Sequence, residues 1–257
     1  AEEHRSYEQK YKEQMCFHMC ELFNVKQINC GLMENYSVEY TAQKLRELCQ
    51  RAGKYIIGVE PMPYSGIPDV KKGWEVVKAA DCENAKLILD TWHWVRANQP
   101  VDISVLADVP ADKVVSIQIN DVWERPYATT ILRDESMHDR LAPGTGIGCT
   151  AAFVKMVREK GIEPNAIGVE VISDANLEKG IEYAANHTYE NTKKVLTQAL
   201  DAGIEVLVAT GRPFSGIPEE LQKLPGIHYA LTSNGARVLD TRTEKVIIEQ
   251  LLPLESA

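Results

Sequence analysis

Residues 87–94 read LILDTWHW, and this stretch decides how the rest of the chain is interpreted. A short apolar run, typical of a buried strand, ends abruptly at Asp90, and His93 follows three residues later. Carboxylate oxygens are ligands that hard cations prefer. The pattern therefore predicts a strand whose carboxyl end presents a cation-binding side chain.

Three other apolar runs end in the same way, at Glu60, Gln118 and Glu170. Taken singly, each of these residues is equally well explained as a solvated side chain at a strand end. Four strands that each deliver an oxygen ligand at the carboxyl end predict a metal site at the mouth of a parallel barrel. Three carboxylates and one amide oxygen form a hard donor set, which suits Mg²⁺ or Mn²⁺ better than zinc.

The composition is that of an ordinary globular protein, since 44% of the 257 residues are hydrophobic and 25% are charged. This length suits one barrel-sized domain or two small ones. The net charge of -9 argues against nucleic acid or an anionic membrane as the main partner. No apolar run reaches about 18 residues and residues 1–12 are polar, so neither a spanning helix nor a signal peptide is expected. We expect a cytoplasmic protein, or a recombinant one if the chain is engineered.

The six cysteines are scattered along the chain. Cys16, Cys20 and Cys49 fall in apolar helical patterns, which predicts buried thiols in a reducing cytosol rather than disulfides or a zinc site. No organic cofactor is expected. The partner expected from these features is at most a small polar or anionic molecule.

Strands and helices alternate through the first two thirds of the chain. Strands are predicted at 25–32, 55–60, 86–90, 113–119 and 166–169, and helices at 3–23, 38–52, 69–80, 101–108 and 176–202. Such alternation predicts an α/β fold with a parallel sheet and right-handed crossovers. Asp90 follows Glu60 by 30 residues, close to the roughly 31 residues of one βα unit in a (β/α)8 barrel. The longer interval before Glu170 predicts a long loop over 120–149.

Several motifs resemble the sugar phosphate isomerase/epimerase family, the xylose-isomerase-like TIM barrels. They are GVEPMPYSGIPD, LILDTWHW, SIQINDV, HDRLAPGTG and GVEVISD. The resemblance covers about residues 5–190, and the Gln118 variant and the HDRLAPGTG loop are most similar to the branch that includes 3-dehydroshikimate dehydratases. It implies about five βα units of a TIM barrel.

The resemblance also implies roles for individual residues. Glu60, Asp90, Gln118 and Glu170 match the divalent-metal ligands, although many family members have histidine where Gln118 stands. His93, Glu60 and Glu170 are the expected catalytic residues, with His93 at a position that contacts substrate or metal-bound water. His138 and Arg140 match a loop that closes over an anionic or polyol substrate.

The last third of the chain has a different character. The text from Thr192 to about residue 250, with ATGRP and TSNGA, resembles haloacid dehalogenase-like (HAD-like) hydrolases of the Cof type. The resemblance puts Thr210 on that family's phosphate-contacting motif and implies a vestigial phosphate-binding role for Thr210 and Gly211. An inherited strand–loop–helix that serves as scaffold is the simpler interpretation of this segment. The D-x-D nucleophile motif is absent, so phosphatase activity has no mechanism here. A C-terminal β-hairpin is predicted, with residues 237–239 pairing with 246–249.

The two resemblances meet inside one helix near residue 190. Relative to its family, the first segment lacks about three barrel strands, and the second supplies about three. We therefore predict a single chimeric barrel domain over 1–257, in which a HAD-like segment (192–257) closes an isomerase/epimerase-like segment (1–191). Two functions follow as alternatives. One is an engineered chimeric barrel without native catalytic activity that retains a divalent-metal site. The other is a metal-dependent sugar isomerase or epimerase, or a 3-dehydroshikimate dehydratase-like lyase.

Overall fold

A computed structural model describes residues 6–124, 131–201, 206–209, 213–217, 219–223, 227–232, 237–243 and 245–249. The chain divides into two compact units, one comprising Gln27–Val195 and the other comprising Ala1–Lys26 with Leu196–Ala257. The organisation as one closed barrel domain over 1–257 stays a prediction.

The strands are, in chain order, β1 (Gln27–Cys30), β2 (Ile56–Val59), β3 (Ala85–Asp90), β4 (Val114–Ile119), β5 (Ala166–Val169), β6 (Val206–Ala209), β7 (Ile227–Thr232), β8 (Arg237–Asp240) and β9 (Val246–Glu249). The helices are α1 (Tyr7–Leu22), α2 (Val38–Ala52), α3 (Val70–Ala80), α4 (Thr91–Arg96), α5 (Leu132–His138), α6 (Thr150–Glu159), α7 (Asp174–Leu177), α8 (Ile181–Asp201) and α9 (Glu219–Gln222).

The unit Gln27–Val195 is built on a parallel sheet in the order β1-β2-β3-β4-β5. Helices lie between successive strands, as the alternation in the sequence predicts. This confirms an α/β fold with five strands of a TIM-barrel-like sheet. All five carboxyl ends lie at the same edge of the sheet because the strands are parallel.

The core of this unit is centred on β3, the strand of the LILDTWHW stretch. Leu87, Ile88 and Leu89 are fully buried, and Trp94 packs edge-on against Phe153 with ring centroids 5.2 Å apart. Burial of each such side chain stabilises the fold by about 1.5–3 kcal/mol. The site at the end of β3 therefore rests on a strand whose side chains are almost all buried.

Three secondary-structure predictions, two of helices and one of a loop, differ from the structure. Residues 101–108 contain only a short 3-10 helix, Ile103–Leu106, and the loop predicted over 120–149 contains α5. The helix predicted over 176–202 is interrupted, since α7 ends at Leu177 and α8 begins at Ile181. Gly180 at this break has φ 103°, a backbone conformation that ends a helix and that glycine adopts without strain.

The second unit contains α1 and a sheet in the order β6-β7-β8-β9. Its strands β8 and β9 are antiparallel and pair Arg237 with Glu249, which confirms the predicted hairpin. Ile217, Ala230 and Leu239 form its small buried cluster. Thr210 and Gly211 lie outside the described residues, and their vestigial phosphate-binding role stays a prediction.

Two further findings bear on the sequence predictions. Cys20 and Cys49 are buried, but Cys16 is exposed, because the face of α1 that carries Cys16 is solvent-accessible. In the part of the chain that the structure describes, no helix has the length and apolar character needed to cross a membrane.

Candidate metal centre

Four neighbouring strands bring the predicted ligands to one edge of the sheet. Asp90 ends β3 and lies beside Gln118 of β4, which in turn lies beside Gly168 of β5. Glu60 directly follows β2, and its amide donates to the carbonyl of Cys30 at 3.0 Å. The amide of Glu170 continues the ladder beyond β5 by donating to Ile119 at 3.1 Å. The backbone of each ligand is therefore fixed by strand pairing.

The carboxylates of Glu60, Asp90 and Glu170 form the centre of the site. One oxygen from each lies within 4.8 Å of the others, which is a spacing that a single cation can bridge. The Asp90 carboxylate is fully buried, Glu60 is 16% exposed and Glu170 is 37% exposed. The cluster is thus open to solvent on the Glu170 side and closed beneath Asp90.

Asp90 is held by donors on both oxygens. Its Oδ1 accepts the backbone amide of His93 at 2.9 Å, which caps the N-terminus of α4, and its Oδ2 accepts Asn120 Nδ2 at 2.8 Å. Asn120 is itself fixed, since Thr91 Oγ1 donates to its Oδ1 at 2.7 Å. These bonds leave Asp90 a single orientation, towards the cluster.

Arg140 lies inside the cluster rather than on a surface loop. Its Nη1 donates to Asp90 Oδ2 at 3.1 Å and to Glu170 Oε2 at 2.9 Å. Its Nε and Nη2 donate to the carbonyl and the hydroxyl oxygen of Ser136 at 2.7 and 2.8 Å. The Tyr64 hydroxyl lies 3.1 Å from that Ser136 oxygen. The side chain is only 3% exposed, and its predicted contact with substrate stays a prediction.

His93 lies beside Glu60, with Nε2 at 3.5 Å from Glu60 Oε1. The ring is buried and makes edge contacts with Tyr64 and Trp92, at centroid distances of 5.7 and 5.3 Å. Among the described residues, its Nδ1 has no hydrogen-bond partner. This position beside a carboxylate is consistent with the catalytic role predicted for His93, which stays a prediction.

His138 is placed differently from Arg140. It is largely exposed, and its Nδ1 lies 3.1 Å from Asp174 Oδ2. Backbone pairing of Asp139 with Ser173, and of the Arg140 amide with Ile172, fixes the same segment. His138 therefore lies at the rim of the site, and its predicted role in substrate binding stays a prediction.

The residues at the cluster fit a hard divalent cation. Gln118, the strand partner of Asp90, has a buried Oε1 with no hydrogen-bond partner within the described residues, so one oxygen acceptor at this edge of the sheet stands unused. Burial raises the pKa of Glu170, with Asp90 and Glu60 acting in the same direction against Arg140 and His93. A cation at this position would satisfy the Gln118 oxygen and relieve the repulsion among the carboxylates.

Sequence reasoning missed the residues that hold the ligands in place. Asn120 follows Gln118 by two residues, just beyond the end of β4, and this spacing is a usable signal that the two side chains start from the same face of the sheet. Ser136 and Tyr64 carry no such signal, because their contacts with each other and with Arg140 depend on how α5 packs.

Models of two protein families match different parts of the chain. The model of the xylose isomerase-like TIM barrel family matches residues 6–191, well over half of the chain. A haloacid dehalogenase-like hydrolase family model matches residues 183–257. Both matches confirm the two resemblances drawn from the motifs.

Individual relatives agree with the first of these families. A 3-dehydroshikimate dehydratase of Pseudomonas aeruginosa is 29% identical over 136 residues, which are 52% of this chain and 20% of that protein. The chain therefore matches only about a fifth of the length of that relative.

Solved structures show the same fold. The structure of an IolI protein with a bound zinc atom has a TM-score of 0.63 and 19% identity, over 76% of this chain and 72% of that one. The probable 3-dehydroshikimate dehydratase AsbF of Bacillus anthracis has a TM-score of 0.60 and 13% identity, over 76% and 72% of the two chains. With its five-stranded parallel sheet and its match over residues 6–191, the chain belongs to the xylose isomerase-like TIM barrel family.

Proposed function

We propose that the chain is a divalent-metal-dependent isomerase, epimerase or dehydratase-type lyase acting on a small keto-sugar or cyclic keto-polyol. The observation that carries this proposal is the meeting of the Glu60, Asp90 and Glu170 carboxylates at one edge of the sheet. Gln118, the strand partner of Asp90, adds a buried and unsatisfied oxygen. The match to a 3-dehydroshikimate dehydratase supports the lyase form, and it covers part of that relative only.

Reactions of this class begin with removal of a proton from the carbon next to a carbonyl. Glu60, Asp90, Gln118 and Glu170 would hold Mg²⁺ or Mn²⁺, and the bound ion would supply Lewis-acid polarisation of that carbonyl. Glu170 is the base that the geometry favours, because its carboxylate is the most exposed of the three and therefore the most accessible to a substrate. Glu60 is the group proposed to hold this proton or to return it to the substrate, because its Oε1 lies 3.5 Å from His93 Nε2.

Metal binding is tested by thermal unfolding with and without Mg²⁺ or Mn²⁺. We expect the ion to raise Tm in the parent protein and to lose this effect in Glu60→Ala and in Glu170→Ala. Glu163→Ala is the control, since Glu163 is an exposed acid outside the cluster. Equal stabilisation of all four proteins, or of none, would rule out this metal site.

Turnover is tested with a panel of keto-sugars and with 3-dehydroshikimate, followed by product chromatography. We expect activity on at least one member of the panel, with metal required, and a loss of about 100-fold or more in His93→Ala. Activity that survives both metal removal and His93→Ala would refute the assignment.

We propose as the second candidate an engineered chimeric barrel that retains the metal site but has no native catalytic activity. Only its chimeric character draws on the comparisons, through two family matches that overlap over residues 183–191, within one helix. Metal-dependent stabilisation without turnover of any panel member is the result that favours this candidate over the first.

A further inference from the structure

We propose that Arg140 is the internal counter-ion of the carboxylate cluster and that it competes with the divalent ion for Asp90 and Glu170. The competition rests on the proposed function, whereas the counter-ion role concerns the metal-free protein and stands by itself. The proposal assigns to Arg140 a task different from the substrate contact expected from its sequence motif.

The geometry of the guanidinium is the first support. A single nitrogen, Nη1, donates to both Asp90, at the end of β3, and Glu170, which directly follows β5. The other two donor groups of Arg140 bond to Ser136 and point away from the carboxylates. Arg140 is therefore held so that its Nη1 faces the cluster and bridges Asp90 and Glu170.

The charge of the cluster is the second support. Glu60, Asp90 and Glu170 carry three negative charges with oxygens within 4.8 Å, and the Asp90 carboxylate is fully buried. Like charges this close, in a partly buried site, repel strongly. The one positive charge of Arg140 leaves a net charge of about -2, which a divalent ion neutralises.

The same contacts define the competition. Arg140 Nη1 uses Asp90 Oδ2 and Glu170 Oε2, which are oxygens that a bridging cation also needs. The fixed positive charge also repels a dication at short range. The affinity of the site for metal is thus lower than that of the same ligands without Arg140.

The counter-ion role is tested by a double-mutant cycle in metal-free buffer with chelator present. Arg140→Gln leaves three carboxylates without their counter-ion, and we expect Tm to fall by roughly 5–15 °C. In a Glu170→Gln background the same change should lower Tm by less than about half as much, because one negative charge is already gone. Arg133→Gln, an exposed arginine on α5, is the control for a change in net charge.

Folding failure also decides this test. If Arg140→Gln does not fold, folding of the Arg140→Gln/Glu170→Gln double variant supports the counter-ion role. A double variant that does not fold either, or a drop in Tm that is equal in both backgrounds, overturns it, since the effect of Arg140 on stability would then not depend on the negative charge of the cluster.

The competition is tested by calorimetric titration with Mn²⁺. We expect Arg140→Gln to bind Mn²⁺ at least about tenfold more tightly than the parent, and Arg140→Lys to stay closer to the parent because it keeps the charge. Mn²⁺ binding that is detected in Arg140→Gln but not in the parent or in Arg140→Lys also supports the proposal. Equal or weaker binding of Mn²⁺ by Arg140→Gln overturns the competition. If no protein binds Mn²⁺, both the competition and the proposed function are overturned, and the counter-ion role is then decided by the double-mutant cycle alone.

Discussion

Glu135 provides the sharpest test of how this unit is held together. Its side chain is 1% exposed, and its Oε1 accepts three hydrogen bonds, from Arg96 Nε at 2.9 Å, Arg96 Nη2 at 2.6 Å and Trp92 Nε1 at 3.2 Å. Glu135→Ala removes this acceptor and leaves the buried guanidinium of Arg96 without its opposite charge. The variant therefore isolates one buried ion pair next to the site.

The magnitude follows from these contacts. Breaking a buried ion pair by removing one partner costs about 3–5 kcal/mol, and the lost bond from Trp92 adds about 1 kcal/mol. Arg96 Nη2 keeps its bond to the carbonyl of Trp123 at 3.0 Å, which offsets part of this loss. We expect Glu135→Ala to lower the free energy of unfolding by about 3–5 kcal/mol, and Glu135→Gln by about 1–3 kcal/mol, since it keeps an acceptor oxygen.

Urea unfolding followed by tryptophan fluorescence measures this loss. All four tryptophans of the sequence lie in Gln27–Val195, so the signal reports on this unit. Glu163→Ala should stay within about 0.5 kcal/mol of the parent. In the Arg96→Met/Glu135→Met double variant neither charge is left buried, and it should lose less than Glu135→Ala. A loss below about 1 kcal/mol in Glu135→Ala, or a double variant less stable than it, would refute the reasoning.

Four further predictions concern other parts of the chain. The raised pKa of Glu170 makes its protonated form more stable in the folded state than in the unfolded chain, so its contribution to metal-free stability is present at low pH and is lost as pH rises through the folded pKa. Urea midpoints between about pH 4 and pH 7 should show this component, and Glu170→Gln should lack it. Gly66→Ala would place a Cβ 1.9 Å from the Glu34 carbonyl oxygen and should cost about 1–3 kcal/mol, whereas Gly168→Ala, whose nearest contact is 3.9 Å, should cost less. Burial raises the pKa of the Cys49 thiol to about 12, so iodoacetamide at mildly alkaline pH should modify exposed Cys16 and Cys149 first, as peptide mass spectrometry would show. Truncation after residue 190 should abolish monomeric, cooperative folding if the HAD-like segment closes the barrel, and a monomeric 1–190 fragment with a cooperative urea transition would contradict that closure.

The sheet and the meeting of three carboxylates at its edge were predictable because they depend on local pattern. Each strand appears in the sequence as a short apolar run, and the side chain that follows it must lie at the carboxyl edge of a parallel sheet. Glu60 and Asp90 are separated by about the length of one βα unit, which predicts that the strands they end are neighbours in the sheet. The meeting of Glu60, Asp90 and Glu170 needs no information beyond this.

The arrangement around Arg140 was not predictable in the same way. The sequence places Arg140 in a long loop, and such segments carry no period that fixes where a side chain points. In the structure α5 forms within this loop, and Ser136 on that helix orients the guanidinium. The short 3-10 helix at Ile103–Leu106 was predicted as a longer helix for a related reason, since four residues are too few for helical periodicity to distinguish the two.

Two buried arginines, Arg96 and Arg140, both bind the short helix α5, one through a contact that stabilises the fold and the other through a contact that orients it at the site. Glu135 and Ser136 are adjacent on α5, and Glu135 binds Arg96 of α4 while Ser136 binds Arg140. Asp90, which caps α4, receives the opposite end of the Arg140 guanidinium. The contacts thus form a continuous ring: α4 is joined to α5 through Glu135, α5 is joined to Arg140 through Ser136, and Arg140 is joined to Asp90 at the start of α4. Because each contact fixes the next, loosening Glu135 should also release Arg140 from the carboxylates, and the metal affinity of Glu135→Gln should then shift towards that of Arg140→Gln.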